Sequence, residues 1–444
     1  VEKETAYLFM NADVYVYTAP LLYQNNLLEE PALTETTFIK KINDNNGEVY
    51  IVGGWVRDMI AHNIPKDKDY VICKMTEILF CRLFPQAQKV GNAFPVYLMN
   101  IDNKLCEIAF ARKEKKQGHG YKGFTVNYDA DLTIEDDLLR RDTRINSIAL
   151  KLPERTLIDP FNGVYDIKNK IIRAVSSHFQ EDPVRALRAA RQAAEFNYII
   201  DELTLQQMQN CAAELLYEPS ERIINELSRA LAANKPSTFF RYLQKANLLT
   251  VTFPEIAALI GQTQPVIYHP EGDSFEHTML ILDKTALQTT DIAARFAALA
   301  HDLGKGLTPQ SMLPHHYGHE KSGLLVLQKW NKRIILPKRW YNSASFVISE
   351  HMRAAHLTKP GKIADLLLSA EKNPLGIDNF SIIIHADNKS LPCYLEDSKL
   401  ILKLFHEIDI KKCPANLRGR QIGQWLHQQR VNILNTYLQQ YNQH

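Results

Sequence analysis

The sequence predicts an α+β chain: a mixed strand-and-helix head followed by a long, almost wholly helical remainder. Three observations carry this. Residues 51 to 72 read IVGGWVRDMIAHNIPKDKDYVI: an apolar run, paired glycines, an apolar segment at helical spacing and a second apolar run. That order is strand, tight turn, helix, strand. From Glu181 onward the apolar period is helical, with Val184, Leu187, Ala190 and Ala194 on one face. Between 277 and 387, histidines and aspartates recur in helical runs.

The 444 residues leave room for about two to four domains. The chain is 45% hydrophobic and 23% charged, with net charge +2 and pI ≈ 8.1, so any basic surface must be local. The six cysteines are scattered without a CxxC pair. This points to a reducing, cytoplasmic setting and argues against zinc knuckles or a disulfide framework. No apolar run approaches the ~18 residues of a membrane span, so no membrane partner is expected. The chain begins at Val1, which indicates a processed or truncated start, and the first residues lack the pattern of a secretory signal.

Residues 1–47 form an unassigned extension. AYLFMNADVYVYTAPLLY is compatible with a strand pair or a docked amphipathic element, and TETTFIKKINDNNGE with a helix and turn. The head is placed at 48–172. Gly53 and Gly54 lack side chains, so phosphates can approach their backbone N–H groups. Asp67 and Asp69 are placed on the second strand, projecting from one face about 7 Å apart, where hard carboxylate oxygens suit magnesium. MTEILFCRLFP reads as a helix, and two strands flank the turn at 100–103, the second carrying Glu107. Arg112 to Phe124 mixes basic residues, glycines and aromatics and reads as a mobile, phosphate-meeting loop. Asp159, Pro160 and Gly163 make a strand-to-helix turn.

GGWVRD followed by DKD resembles the opening of the polymerase-beta-like nucleotidyltransferases, and within them the class II branch of tRNA CCA-adding enzymes and bacterial poly(A) polymerases. The resemblance covers roughly residues 49 to 435. It implies Mg²⁺ on Asp67 and Asp69, with Glu107 completing a catalytic carboxylate set, and triphosphate binding by Gly53, Gly54 and Arg57. ARKEKKQGHGYKGF is similar to the flexible loop of CCA-adding enzymes, here Arg112, Lys115, Lys116, Gly118, Gly120, Tyr121, Gly123 and Phe124. That loop implies the switch from adding C to adding A. RRDTRIN resembles the family's sugar-binding motif, with Arg141 and Asp142 in the nucleotide site; it departs at Arg144, where the family usually has threonine. EDPVRALR resembles the protein template. Asp182 and Arg185 together offer an acceptor and a donor fork, a pattern that matches the base edges of both C and A, with Arg188 in support.

A helical neck and body is placed at 173–262, with helices starting at Pro219-Ser220 and Pro236. Arg222, Arg229, Arg241 and Lys245 there are compatible with tRNA contact or with a solvated face. At 263–400, His277, His301-Asp302 and Asp387 come from three helical segments, a donor set suited to a divalent transition metal. The ordered set resembles an HD phosphohydrolase domain. It implies Ni²⁺, Mn²⁺ or Co²⁺ and hydrolysis of 2′,3′-cyclic phosphodiesters, 2′-nucleotides or phosphomonoesters. His315, His316, His319, His351 and His356 are candidates to face the same cleft. A glycine-started helical tail closes the chain at 401–444.

The combined expectation is a multifunctional CCA-adding enzyme: a polymerase-beta-like nucleotidyltransferase head, an all-helical neck and body, and a helical HD domain. Expected partners are the tRNA acceptor stem and 3′ end, CTP and ATP, with the protein a monomer or homodimer. The competing readings are a poly(A) polymerase, a partial CC- or A-adding enzyme, and an RNA-binding protein with silent sites.

Overall fold

A computed structural model describes residues 33–91, 95–116, 124–127, 130–267, 269–388 and 390–441. The stretch AYLFMNADVYVYTAPLLY and the loop residues Gly118, Gly120, Tyr121 and Gly123 lie outside the described residues. The chain divides into two compact units, Val1–Glu226 with Lys245–Leu248, and Leu227–Gln244 with Leu249–His444.

The first unit is built on a seven-stranded mixed sheet. Its strands are β1 (Glu48–Val52), β2 (Asp69–Cys73), β3 (Gln88–Val90), β4 (Val96–Ile101), β5 (Lys104–Phe110), β8 (Ala149–Leu152) and β9 (Thr156–Ile158), in spatial order β3-β4-β5-β2-β1-β8-β9. β1 runs antiparallel to β2 and β8, while β2 and β5 are parallel. Strand alternation sorts the two faces. Tyr70 faces helix α1 (Glu35–Asn43), where its ring meets Phe38 at 5.3 Å and its hydroxyl donates to Glu35 at 2.6 Å. On the other face Tyr50, Val52, Val71 and Cys73 pack with Ile134 and Leu138 of α4 (Ile134–Leu139). α4 starts in a capping box, Thr133 with Asp136, which satisfies backbone donors at its first turn. α2 (Gly54–Ile60) follows β1 directly, and α3 (Glu77–Leu83) matches the expected helix. Asp159 accepts from the backbone of Gly163 and Val164 at 2.6 and 2.9 Å and so starts α5 (Gly163–Asn169). α6 (Val184–Phe196) buries the predicted apolar face.

Two expectations change. Asp67 is not on the second strand. β2 begins at Asp69, and Asp67 sits in the segment leading into it. The pairing of β1 with β2 stops at Val52↔Asp69 because the chain leaves β1 at Gly53 for α2, so no ladder continues to Asp67. The segment 112–124 is also not all loop. β6 (Lys113–Lys116) and β7 (Phe124–Asn127) pair antiparallel with Lys116 opposite Phe124, which satisfies backbone groups that a loop would leave to water.

The second unit is helical. α7 (Ser274–Gln288), α8 (Ile292–Ala300), α9 (His319–Arg333), α10 (Lys338–Ala354) and α11 (Ile377–Asp387) surround a core in which Phe296 stacks on Trp340 at 5.1 Å and meets Trp330 at 5.4 Å. Arg295, buried in α8, donates to the carbonyls of Leu231, Ala233, Ala286 and Thr289, so its charge is solvated by helix ends. The glycine-started tail is a helix over Arg420–Tyr441. Among the described residues, no helix is long and apolar enough to cross a membrane.

Candidate active sites

In the first unit, the register that pairs Asp69 with Glu107 puts two carboxylates side by side on adjacent strands, roughly 5 Å apart by strand spacing. Asp67 precedes Asp69 by two residues. Burial, opposed by Arg141 and reinforced by Asp67, raises the Asp69 carboxyl to about 6. Burial and then the charges of Asp69 and Asp67 raise Glu107 to about 7. Asp69 and Glu107 thus oppose each other's ionisation, and with Asp67 close by they are a donor set suited to a hard cation. Among the described residues they do not form a cluster whose ligand atoms all lie within 4.8 Å of one another.

The paired glycines lie against this edge. Gly53 has φ 68° and ψ −133°, a backbone state that side chains disfavour, and a Cβ there would meet Arg141 Nη1 at 3.5 Å and Asp69 Oδ2 at 3.8 Å. Arg141 is aimed by Asp137, a fully buried carboxylate that binds Arg140 through one oxygen and takes Arg141 Nη2 at 2.9 Å and Nε at 3.1 Å through the other. Arg57 lies over Gly54. It donates to Asp58 at 2.8 Å and to Asn146 at 2.7 Å, and its guanidinium stacks 4.2 Å above the Phe196 ring.

The motif resemblance puts Asp142 at the sugar. In the structure it is buried and accepts from Arg188 Nε at 2.8 Å, Gln192 Nε2 at 2.9 Å, the Thr143 backbone at 2.7 Å and Asn146 Nδ2 at 3.3 Å. Its acceptor positions are thus used by protein. Burial opposes its charge, but Arg188 and these donors hold it well below the usual carboxylate range. Arg188 therefore serves Asp142, and a chain of contacts runs Arg57–Asn146–Asp142–Arg188. Asp182 stands just before α6 and accepts from Arg222 at 2.8 Å, while Arg185 donates to the His178 carbonyl at 2.6 Å. Arg144 contributes its charge near the Asp166–Arg173 pair.

In the second unit the four predicted residues come together. His277 Nε2 lies 3.0 Å from Asp387 Oδ1 and 3.4 Å from His301 Nε2, and His301 Nε2 is 3.2 Å from Asp302 Oδ2. His277, His301 and Asp302 are almost completely buried. Neither oxygen of Asp302 has a hydrogen-bond partner of good geometry, although Lys305 Nζ lies 2.6 Å from Oδ2. A buried carboxylate left in that state, ringed by imidazoles, fits a divalent transition metal. Of the further histidines, His319 and His351 join the cluster, with Nε2 atoms 3.3 and 3.5 Å from Asp302 Oδ1. His315 and His356 do not, and His316 bonds Thr308 and the Thr263 carbonyl. Gly304 makes the close approach possible, since a Cβ there would fall 1.9 Å from the His319 carbonyl.

Sequence reasoning missed Asp137, Asn146 and Gln192, which hold Arg141, Arg57 and Asp142, and the role of Arg222 as the partner of Asp182. Only Asp137 had a local signal, as the carboxylate three and four residues before Arg140 and Arg141 on one helix face.

Three family models match: the poly A polymerase head domain over residues 49–173, the probable RNA and SrmB-binding site of polymerase A over 189–260, and the HD domain over 274–385. The multifunctional CCA protein of Shewanella frigidimarina is 38% identical over 421 residues, covering 89% of this chain and 98% of that protein. That of Nitrosococcus oceani is 39% identical over 402 residues, covering 87% and 98%. In fold, the chain resembles the Bacillus stearothermophilus CCA-adding enzyme in complex with CTP, with TM-score 0.63 and 20% identity over 90% of this chain and 91% of that one. It also resembles a tRNA nucleotidyltransferase complexed with a primer tRNA and an incoming ATP analog, with TM-score 0.56 and 21% identity over 83% and 98%.

Proposed function

Because the chain belongs to the multifunctional CCA protein family, the HD-containing tRNA nucleotidyltransferases, we propose that its head adds C, C and A to the tRNA 3′ end from CTP and ATP. In this reading the 3′-hydroxyl oxygen attacks the α-phosphorus of the nucleotide as its proton passes to solvent, and the bond to pyrophosphate breaks. Mg²⁺ ions held by Asp67 and Asp69, with Glu107 beside them, supply charge neutralisation and activation of the attacking hydroxyl. Gly53 and Gly54 offer backbone N–H groups to the triphosphate without a side chain in the way. Arg141, aimed by Asp137, lies against both Gly53 and Asp69 and places positive charge at the same edge. Arg57, held by Asn146 and Phe196, does so above Gly54. Asp142 acts on the sugar region by fixing Asn146 and Arg188. Asp182 and Arg185 present the acceptor and donor that C and A share, and Arg222 holds Asp182 in place. The strands β6 and β7 flank the segment that switches the site from C to A.

In the HD domain, a divalent transition metal bound by His277, His301, Asp302 and Asp387 supplies Lewis-acid activation of water and of the phosphoryl group. Glu271 accepts from His277 Nδ1 at 2.5 Å and sets the ring's orientation. The proposed reaction is hydrolysis of phosphate esters, including 2′,3′-cyclic ones, at RNA ends.

The observation that carries the head reading is the Asp69–Glu107 register pair, with Asp69 and Arg141 both beside Gly53. The test is extension of a tRNA lacking CCA with all four NTPs. Addition of three residues and no more supports the reading. A long A tract indicates a poly(A) polymerase, and arrest after CC a partial enzyme. Unchanged incorporation by Asp67→Ala removes the catalytic assignment.

A further inference from the structure

A cleft of about 150 Å³ in the head has Asp67 as one wall and Trp55, Lys66 and Lys104 as others, with the buried Tyr70 and Cys106 also lining it. None of Gly53, Gly54, Arg57, Arg141, Asp182 and Arg185 lines it, so it is separate from the side chains assigned to the incoming nucleotide. Trp55 is anchored from one side. Lys68 Nζ lies 5.5 Å from the centre of a Trp55 ring, and Lys68 pairs with Glu35 at 2.8 Å, which also accepts from the Tyr70 hydroxyl. A cation held over an indole fixes its plane. Lys66 and Lys104 are exposed, and among the described residues neither side chain has an ion-pair or hydrogen-bond partner. Asp102, in the same lining, accepts from the Glu35 backbone N–H at 3.3 Å.

The cleft therefore combines a fixed aromatic plane, two uncommitted cations and one carboxylate of the acidic edge. Pockets that take a whole small molecule run to about 300–1,000 Å³. This one has room for a single ring system, with any attached sugar and phosphate outside it. We propose that it seats the end of the acceptor RNA: the base of the 3′-terminal nucleotide stacks on Trp55, its phosphate meets Lys66 and Lys104, and its 3′-hydroxyl is thereby brought to Asp67. Stacking suits this task because every base has a π face. The acceptor end changes with each addition, from the last base of the unextended tRNA to C and again to C. A donor and acceptor fork would select among these ends, whereas an aromatic plane with two cations accepts them all. The inference rests on the CCA-adding reading and gives that reaction its acceptor subsite.

The test measures KM for tRNA, and separately for CTP and ATP, in the full chain, with tRNAs ending before CCA, in C and in CC. Trp55→Ala should raise the KM for all three tRNAs about tenfold, with the KM for CTP and ATP changed by less than about twofold. Trp55→Phe keeps an aromatic face and should recover most of the loss. Lys66→Gln combined with Lys104→Gln should raise the tRNA KM and flatten its dependence on salt. An unchanged tRNA KM in Trp55→Ala overturns the base seat, and in the lysine variant it overturns the phosphate contact. A rise shared by CTP and ATP puts Trp55 in the nucleotide site and overturns the proposal. Should Trp55→Ala not fold, the exposed lysine pair decides alone. Wild-type protein that extends none of the three tRNAs overturns the CCA-adding reading itself, and the subsite with it.

Discussion

At the scale of single residues, the head turns on a glycine in a backbone state that side chains disfavour and on a fully buried carboxylate. Gly53 holds φ 68°, a state that costs a side-chain-bearing residue about 1–3 kcal/mol. Its missing side chain also keeps the edge beside Asp69 and Arg141 open. Gly53→Ala should therefore lower the melting temperature and reduce kcat/KM for CTP and ATP alike. Thermal unfolding and steady-state incorporation check this; a variant unchanged in both would remove Gly53 from the proposed triphosphate site. Asp137 is the second case. Burial alone would raise its carboxyl, but the charges of Arg140 and Arg141 outweigh burial and hold it at about 2, against 3.8 for a free side chain. A depressed folded-state pKa contributes stability above the unfolded value, and that stability is lost as pH falls through the folded one. The pair should thus add about 2 kcal/mol above pH 4, fading between about pH 4 and pH 2. Urea unfolding of wild type and Asp137→Asn should show a stability gap that narrows from pH 7 to pH 3. A gap constant over that range contradicts the assignment.

At the scale of elements, the turn after α8 decides whether the HD cluster closes. Gly304 lies in the 3₁₀ turn that follows His301-Asp302, and its backbone touches the first turn of α9. A Cβ at Gly304 would fall 1.9 Å from the His319 carbonyl and 2.6 Å from the Gly323 nitrogen, both backbone atoms with little freedom to move. Gly304→Ala must push α9 away from the turn, and with it His319 from Asp302. The expected result is a loss of about 1–3 kcal/mol in stability, as for other overpacked sites, together with at least a tenfold loss of phosphoesterase activity. Differential scanning calorimetry and a cyclic-phosphodiester assay measure the two effects. Retained hydrolysis with full metal content would show that the close approach is not needed. Helix α6 is set by a different kind of contact. Its helical period is readable in EDPVRALR, yet the partners of Asp182 and Arg188 come from residues 222 and 142, which no helical period connects.

At the scale of the whole molecule, legibility in the chain tracks the range of the contacts. The α+β head, the glycine turn, Glu107 beside the acidic pair and the helical remainder are encoded within a few tens of residues, by strand alternation and helical period. The position of Asp67 off β2 is not, because it depends on where β1 turns away. The roles of Asp142 and Arg188 are not, because their pairing spans 46 positions and closes only in the folded unit. The cluster around Asp302 needs His277 and His351, from helices far apart in sequence, and their convergence is a matter of helix packing that periodicity does not state. The same division of contacts predicts that the two centres work independently. Asp67, Asp69, Glu107, Arg141 and Asp182 all belong to the first compact unit, and the HD residues all belong to the second, so each centre draws its side chains from one unit. Asp69→Asn should then reduce CCA addition by about 10²-fold or more, the scale set by removing one electrostatic stabiliser, while leaving phosphoester hydrolysis at the wild-type rate. Asp302→Asn should do the reverse. Both activities are to be measured on the same preparations, tRNA extension with CTP and ATP beside hydrolysis of a 2′,3′-cyclic nucleotide. Loss of both activities in a folded Asp302→Asn protein would mean that the head depends on the HD centre, and the separation into two autonomous sites would fail.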